Sequence, residues 1–256
     1  MSDNARPAEE LLRTLGISAP SEIDVEAIAY SEGAIIKRAF LRGCEARIIG
    51  RGDKAIITVS NNTLPTRRRF SAAHELGHWY YHRGRSFVCK SEDIGNPQRL
   101  PSDPERVADS YAADLLLPRY LFVPTARNLG AVTYKSIRAL ADEFSVSLTA
   151  AALRLVEIGL EPVMLVCHDA RGRRWFSRPA NIPNKWFPRE KLDEDSYAAN
   201  VMRGEIEASH RALIGADAWF DRDGAEDLEL YEQTFRTFDG QVLTVLTFKD
   251  EGMLYD

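Results

Sequence analysis

The chain has 256 residues, of which 45% are hydrophobic and 28% are charged, and its formal net charge is −5. This composition is typical of a globular protein rather than a disordered one, and the length allows one large domain or two modest ones. The acidic balance argues against a dedicated nucleic-acid binder, which needs a strongly basic surface.

Two short helices and a small sheet are predicted for the N-terminal part of the chain. The helices are expected over residues 7–15, ending at Gly16, and over residues 25–31, where Asp24 can act as the N-cap. Three short apolar stretches follow, AIIKRAFL, ARIIG and AIITV, and turn residues separate them. Such stretches predict a small antiparallel sheet.

Two longer helices follow the sheet. The first is expected over residues 65–83, between Pro65 and Gly84. After a polar loop over residues 85–100, Asp103 can cap the second helix, which ends at Pro118. Each helix has one face with apolar residues at helical spacing: Phe70, Ala73, His74, Gly77, His78 and Tyr81 on the first, and Ala108, Tyr111, Ala112 and Leu115 on the second.

Residues 134–158 predict two further helices, with a break near residues 145–147 and an end at Gly159. Their spacing resembles a helix-turn-helix, which places its second helix in the DNA major groove. That second helix offers only Arg154 as a basic group, and acidic residues add repulsion toward phosphate. Because DNA binding needs a basic footprint, we expect no direct DNA binding and interpret the unit as a packing or partner-docking element.

From Glu161 onward the pattern favours strands. The stretches PVMLVCHD and RRWFSR predict one strand pair, and YEQTFRTF and QVLTVLTF predict a hairpin across Asp239-Gly240. The tryptophans expected in the core of this part are Trp175, Trp186 and Trp219. The two isolated histidines, for which a structural or surface position is expected, are His168 and His210.

The three cysteines, Cys44, Cys89 and Cys167, are far apart and form no CxxC pair. This pattern argues against both a disulfide framework and a cysteine zinc site. Reduced thiols in a cytosolic protein are the simplest interpretation, with a redox switch as the alternative. The N-terminus has no apolar signal core, and no apolar run reaches the length of a membrane span, so we expect a cytoplasmic location.

The sequence HELGH at residues 74–78 is an HExxH motif on the first of the two longer helices. Residues four apart lie on one face, about 6 Å apart along the axis, so His74 and His78 can bind one tetrahedral zinc ion. Glu75 then lies beside the metal, where it can take a proton from water. Gly77 costs the helix about 1 kcal/mol relative to alanine, which indicates a close approach to the backbone. The alternative is a chance HExxH on an ordinary helix.

A catalytic zinc needs a third protein ligand and an open position. His82 lies four residues beyond His78, but three histidines along one straight helix are too far apart to bind one ion, so we assign His82 to packing or to the surroundings of the site. Glu105, at the start of the next helix, is the better candidate. Asp109 is placed to accept a hydrogen bond from the far nitrogen of a zinc-bound histidine. Ordinary surface acids are the alternative for both. The expected ion is Zn2+, although Mn2+ or another divalent ion could replace it.

The stretches RRRFSAAHELGHWYYH and ERVADSYAADLLLP resemble the two metal-binding helices of the ImmA/IrrE family of bacterial metallopeptidases. A looser likeness extends upstream to IDVEAIAYSEGA and AIITVSNN. The resemblance implies a glutamate-zincin fold with ligands His74, His78 and Glu105 and the general base Glu75. It also implies site-specific cleavage of a regulatory protein, a helix-turn-helix repressor, in a stress or mobile-element response.

The expected fold class is therefore α+β, in three parts. Residues 1–125 are expected to form a zincin-like metallopeptidase domain, with the small antiparallel sheet and the HExxH helix. Residues 126–160 are expected to form the helix-turn-helix-like unit. Residues 161–256 are expected to form an α+β domain, for which a sensory, GAF-like role follows from analogy with longer members of the family.

Two questions stay open at this point. The protein could instead be a non-catalytic, zinc-containing regulatory module that senses a signal and binds a repressor or DNA. The basic run Arg67, Arg68 and Arg69 could anchor substrate carboxylates, or it could be a solvated helix start.

Overall fold

The computed structural model describes residues 6–90, 92–95, 100, 102–237 and 240–255. Their contacts group the chain into two units. The first consists of Met1–Phe122 and Asp142–Ser147, and the second of Val123–Ala141 and Leu148–Asp256. The secondary structure mixes helices and sheets, as expected for the α+β class. The division into three domains stays a prediction.

The sheet of the first unit is mixed rather than antiparallel. Its strands lie in the order β1-β3-β2-β4, and β1 runs parallel to β3 whereas the other pairs are antiparallel. The predicted all-antiparallel sheet was therefore wrong for one pair, because β2 and β3 form a hairpin and β1 adds to the far side of β3. The bounds are β1 Ala34–Ala39, β2 Ala46–Arg51, β3 Lys54–Ser60 and β4 Phe87–Cys89.

One face of this sheet is buried. In β3, Ala55, Ile57 and Val59 are buried while Ile56 is 41% exposed, so the first half of the strand alternates as a half-buried strand does, whereas the second half is buried throughout. Strand β4 was not predicted, because it has only three residues and lies in the stretch interpreted as a polar loop.

The four helices predicted up to Pro118 are present, and a fifth helix, which was not predicted, follows them. Asp24 caps the second of them by accepting hydrogen bonds from the backbone N–H groups of Glu26 and Ala27 at 2.9 and 3.1 Å. Asp103 caps the fourth through the N–H of Glu105 at 2.9 Å. The helices are α1 Pro7–Thr14, α2 Val25–Ser31, α3 Pro65–Tyr81, α4 Pro104–Leu116 and α5 Arg119–Leu129, the last of which continues into the second unit.

Helices α3 and α4 approach each other at Gly77. A Cβ atom on this residue would lie 3.0 Å from the Cα and carbonyl oxygen of Ala108 and 3.1 Å from the Cβ of Tyr111. These neighbours belong to a helix backbone, which cannot move aside cheaply. The close approach to the backbone that the glycine indicated is confirmed, and the neighbour is α4.

The second unit is built on an antiparallel sheet with the strand order β6-β5-β9-β8-β7. The predicted β8–β9 hairpin is present, although Asp239 lies outside the described residues. The strands are β5 Val163–Asp169, β6 Gly172–Ser177, β7 Ala212–Gly215, β8 Glu229–Arg236 and β9 Val242–Phe248, and the helices are α6 Tyr134–Glu143, which ends in the first unit, α7 Leu148–Ile158 and α8 Tyr197–Arg203. Short 3-10 turns lie at Pro20–Glu22 in the first unit, and at Ala216–Ala218 and Glu251–Leu254 in the second.

The core of the second unit is aromatic. Trp186 and Trp219 are 3% and 2% exposed, as expected, whereas Trp175 is only half-buried on β6. His168 is buried and His210 is exposed. The helix-turn-helix-like unit and the GAF-like character of this part stay predictions. In the part of the chain that the structure describes, no helix combines the length and the apolar character that a membrane crossing needs.

Replacing Gly77 by alanine should destabilise the first unit although alanine is the better helix former. The gain of about 1 kcal/mol in helix propensity is smaller than the cost of overpacking, about 1–3 kcal/mol, because the methyl group meets the backbone of α4. We expect a lower free energy of unfolding in urea titrations. The control is Thr66→Ala in the first turn of α3, and equal or greater stability of Gly77→Ala would contradict the packing argument.

Candidate metal centre

Three elements of the first unit bring four potential ligands together. Helix α3 contributes His74 and His78, α4 contributes Glu105, and the edge strand β4 contributes Cys89. One ligand atom from each of these residues lies within 4.8 Å of the others. The two imidazole rings are perpendicular, with centroids 4.7 Å apart, as residues one turn apart on a helix can be.

The spacing of the donors suits a zinc ion. The Nε2 atom of His74 lies 3.1 Å from one carboxylate oxygen of Glu105, and the Nε2 atom of His78 lies 3.4 Å from the other. Zinc bonds of about 2.0–2.2 Å in a tetrahedron separate neighbouring ligand atoms by about 3.4 Å. The three predicted ligands therefore lie where one tetrahedral ion could contact all of them.

Asp109 orients the first histidine. One of its oxygens lies 2.9 Å from the Nδ1 atom of His74, and both oxygens accept the backbone N–H of Gly95 at 2.9 Å. The Nε2 atom of His74 is thereby turned toward Glu105. This geometry is the one that a residue supporting a metal-binding imidazole would have, and that role of Asp109 stays a prediction.

Some buried polar atoms at the site have no partner. Glu75 is 0% and His78 is 1% exposed. Among the described residues, no hydrogen bond reaches either carboxylate oxygen of Glu75 or either ring nitrogen of His78, although His78 is within ion-pair distance of Glu105. Leaving such an atom unsatisfied costs about 1–3 kcal/mol. A bound cation with water would satisfy these atoms, so the residues fit a metal ion.

Burial and charge shift the acids and bases of the site in different directions. Burial raises the pKa of Glu75 to about 7, although the nearby His74 opposes the shift. Burial also disfavours ionised Glu105, but the hydrogen bond with His74 and the close approach of His78 outweigh it and lower the pKa of that carboxyl. For His74, burial lowers the pKa, and the hydrogen bonds to Asp109 and Glu105 more than compensate and raise it to about 9.

Cys89 is the member of the cluster that sequence reasoning missed. The absence of a CxxC pair argues only against a zinc site built from paired cysteines. Cys89 is a single cysteine on a three-residue strand that lies beside the other ligands. Its thiol is 1% exposed, and burial together with the charges of Glu75 and Glu105 raises its pKa. The signal in the sequence was weak, since nothing in its spacing connects Cys89 to the HExxH motif. None of the three cysteines forms a disulfide bond.

The other sequence candidates lie outside the ligand group. His82 follows the last turn of α3, with its ring centroid 5.7 Å from that of His78 and 5.2 Å from that of Phe87. Arg67 pairs with Glu45 through two hydrogen bonds of 2.5 and 3.0 Å. The other arginines of the basic run donate to backbone carbonyl groups, Arg68 to Asn61 and Arg69 to Ile23 and Phe144. The run thus holds the start of α3 in place.

A comparison with known protein families matches the part of the chain that contains the candidate metal centre. Residues 34–156 match a peptidase family model described as the IrrE N-terminal-like domain. Among solved structures, a Mycobacterium tuberculosis transcriptional regulator aligns with a TM-score of 0.63 and 15% sequence identity, over 94% of this chain and 74% of that one. At this identity the likeness shows the fold alone. The search of curated proteins found no match.

Asp109→Asn should weaken zinc binding about 10–100-fold, the usual cost of losing a supporting carboxylate. The amide cannot hold the imidazole of His74 with the charge of the native side chain. Competition with a chromophoric chelator measures the change, and Ser110→Ala, the exposed neighbour on α4, is the control. Unchanged zinc affinity in Asp109→Asn would show that the contact does not support a metal site.

Zinc affinity should rise with pH up to about 9. Below that pH the imidazole of His74 carries a proton in the metal-free protein, since its pKa is raised to about 9, and a metal must displace this proton. The apparent association constant should therefore increase about tenfold per pH unit from neutral pH and level off above the pKa. Calorimetry in buffers of different ionisation enthalpy counts the released proton, and the absence of proton release at neutral pH would contradict the assignment of His74.

Proposed function

We propose, from the premise that residues 34–156 form an IrrE N-terminal-like domain of a peptidase family, that this protein is a zinc-dependent endopeptidase. The resemblance to the ImmA/IrrE family drawn from the two helix motifs is confirmed by this match. The observation that carries the proposal is the carboxylate of Glu75, which is buried, unpartnered among the described residues and adjacent to the group formed by His74, His78 and Glu105.

In this proposal His74, His78 and Glu105 hold the metal. A zinc ion there would supply Lewis acidity to the attacking water and to the scissile carbonyl group. Asp109 keeps the imidazole of His74 in the orientation that points Nε2 into the site. The negative charge of Glu105 is already favoured in the folded protein, because the two nearby imidazoles outweigh the effect of burial and lower the pKa of this carboxyl.

Glu75 is the proposed general base. A base works best when its pKa lies near the working pH, and burial brings the pKa of Glu75 to about 7. Its carboxylate accepts a proton from the attacking water and then donates it to the nitrogen of the leaving amine. Because this side chain is 0% exposed, bulk water does not compete for the proton.

The proposed substrate is a regulatory protein, a helix-turn-helix repressor, cut in a stress or mobile-element response. The family resemblance supports this, and the solved structure with a similar fold is named a transcriptional regulator. We further propose that the second unit senses the activating signal, in a GAF-like manner, and that the protein itself does not bind DNA. We place its action in the cytoplasm, where cysteines that form no disulfide bond, such as these three, persist.

A second candidate function has one observation in its favour. A zinc site with four protein ligands is typical of a structural site, whereas a catalytic site keeps one position open. Cys89 makes a fourth donor available, so the zinc could stabilise a non-catalytic module that binds a repressor. The buried, unpartnered carboxylate of Glu75 favours the peptidase, because a structural site has no need of a base.

The test of the peptidase is Glu75→Gln, which should bind zinc as the parent does but lose cleavage of the repressor encoded beside the gene. The amide has almost the same shape and cannot accept the proton of water. Electrophoresis of the repressor, with and without a chelator, reads out cleavage, and Glu26→Gln, an exposed acid of α2, is the control. Residual cleavage by Glu75→Gln at the parental rate would remove this residue from the mechanism, and co-migration without cleavage by the parent would favour the binding module.

A further inference from the structure

Cys89 lies on strand β4, whereas the other three candidate ligands lie on helices α3 and α4. Its sulfur lies 3.9 Å from a carboxylate oxygen of Glu105 and within 4.8 Å of the ligand nitrogens of His74 and His78. Zinc–sulfur and zinc–oxygen bonds of about 2.3 and 2.1 Å in a tetrahedron separate the two ligand atoms by about 3.6 Å. The distance between the sulfur and this oxygen is therefore within a few tenths of an ångström of the distance expected between two ligands of one zinc ion.

The backbone holds this cysteine in place. Cys89 is paired with Ala46 of β2, and its carbonyl group accepts the N–H of Glu45 at 2.9 Å. Two residues earlier, the ring of Phe87 stacks on the imidazole of His78, with centroids 4.2 Å apart and planes only 9° from parallel. Strand β4 thus packs directly on a ligand of the candidate site, and the sulfur stays near the donors without any rearrangement of the chain.

We propose that Cys89 is a fourth zinc ligand in the resting protein and that it closes the position that water needs for peptide hydrolysis. This inference rests on the proposed peptidase function and adds a means of regulation to the same site. A tetrahedral zinc with four protein ligands has no open position. The peptidase is then latent until the thiolate leaves the metal. As it leaves, the sulfur keeps its electron pair and its oxidation state and takes up a proton from solvent, while a water molecule takes the vacated position, so no oxidant is required.

In this proposal Cys89 is released by a rotation of its side chain about χ1. Cysteine has three staggered χ1 rotamers, and a change of rotamer moves the sulfur away while the β2–β4 pairing is kept. The other three donors lie on α3 and α4, which pack closely at Gly77, so they can retain the metal while Cys89 departs. The structure thus combines three ligands on helices with one ligand on a three-residue strand.

Cobalt substitution tests the ligand assignment without any assay of activity. Cobalt bound by a thiolate has a strong sulfur-to-metal charge-transfer absorption in the near ultraviolet, and cobalt bound by nitrogen and oxygen alone does not. We expect this absorption in the parent protein and in Cys44→Ala, the control for the other thiol of the first unit, and its loss in Cys89→Ala. A cobalt-loaded parent protein without the absorption would overturn the proposal, even if Cys89→Ala failed to fold.

Zinc affinity and cleavage of the repressor test latency. We expect Cys89→Ala to bind zinc at least about tenfold more weakly and yet, at saturating zinc, to cleave at least tenfold faster than the parent and Cys44→Ala. If the parent and Cys89→Ala cleave at the same rate, latency is overturned while the peptidase stands. If the absorption is present and neither protein cleaves, Cys89 belongs to a structural site, and both latency and the proposed peptidase function are overturned.

Discussion

The close packing of α3 against α4 is the constraint on which the candidate site depends. Gly77 lies between His74 and His78 on one helix, and the residue it meets on the other, Ala108, precedes Asp109. The same contact that excludes a Cβ atom therefore brings the carboxylates of α4 within hydrogen-bonding distance of an imidazole of α3. A larger side chain at residue 77 would move α3 away from α4 and the candidate ligands of the two helices away from each other. Close helix packing and the geometry of the candidate metal site therefore depend on the same glycine.

The charges of the site explain why a cation belongs there. Several ionisable groups are buried together, and burial of a charge is costly unless a partner compensates it. His74 is compensated by Asp109 and Glu105, whereas only the charge of His74 and the thiol of Cys89 oppose the effect of burial on Glu75, and they do not outweigh it. A divalent ion would replace the proton on His74 and attract the carboxylates at the same time. Without a cation, the burial of these charges would be costly, and a bound cation would compensate that cost.

The sequence predicts those parts of the structure that depend on local patterns. Residues within one or two helical turns are enough to predict the helix caps at Asp24 and Asp103 and the two long helices. They also predict that another part of the protein approaches the backbone at Gly77. The parallel pairing of β1 with β3 could not be predicted, because it depends on which side of a hairpin a distant strand joins. Cys89 was missed for a similar reason: a strand of three residues has no periodicity, and its contact with the ligands exists only in three dimensions.

The four donors of the candidate site lie on elements of different stability. This difference bears on whether Cys89 stays among the ligands. Three of its donors lie on two helices in direct backbone contact, whereas the fourth lies on a strand at the edge of the sheet, paired over three residues. Local stability follows the number of buried contacts and hydrogen bonds that an element makes, so β4 is the part of the site that can yield at the lowest cost. Because the stacking of Phe87 on His78 connects this strand to a ligand, a partner that pairs with or displaces β4 would act on the metal centre directly. The edge strand is therefore the element in which one change in packing would reach both Cys89 and His78.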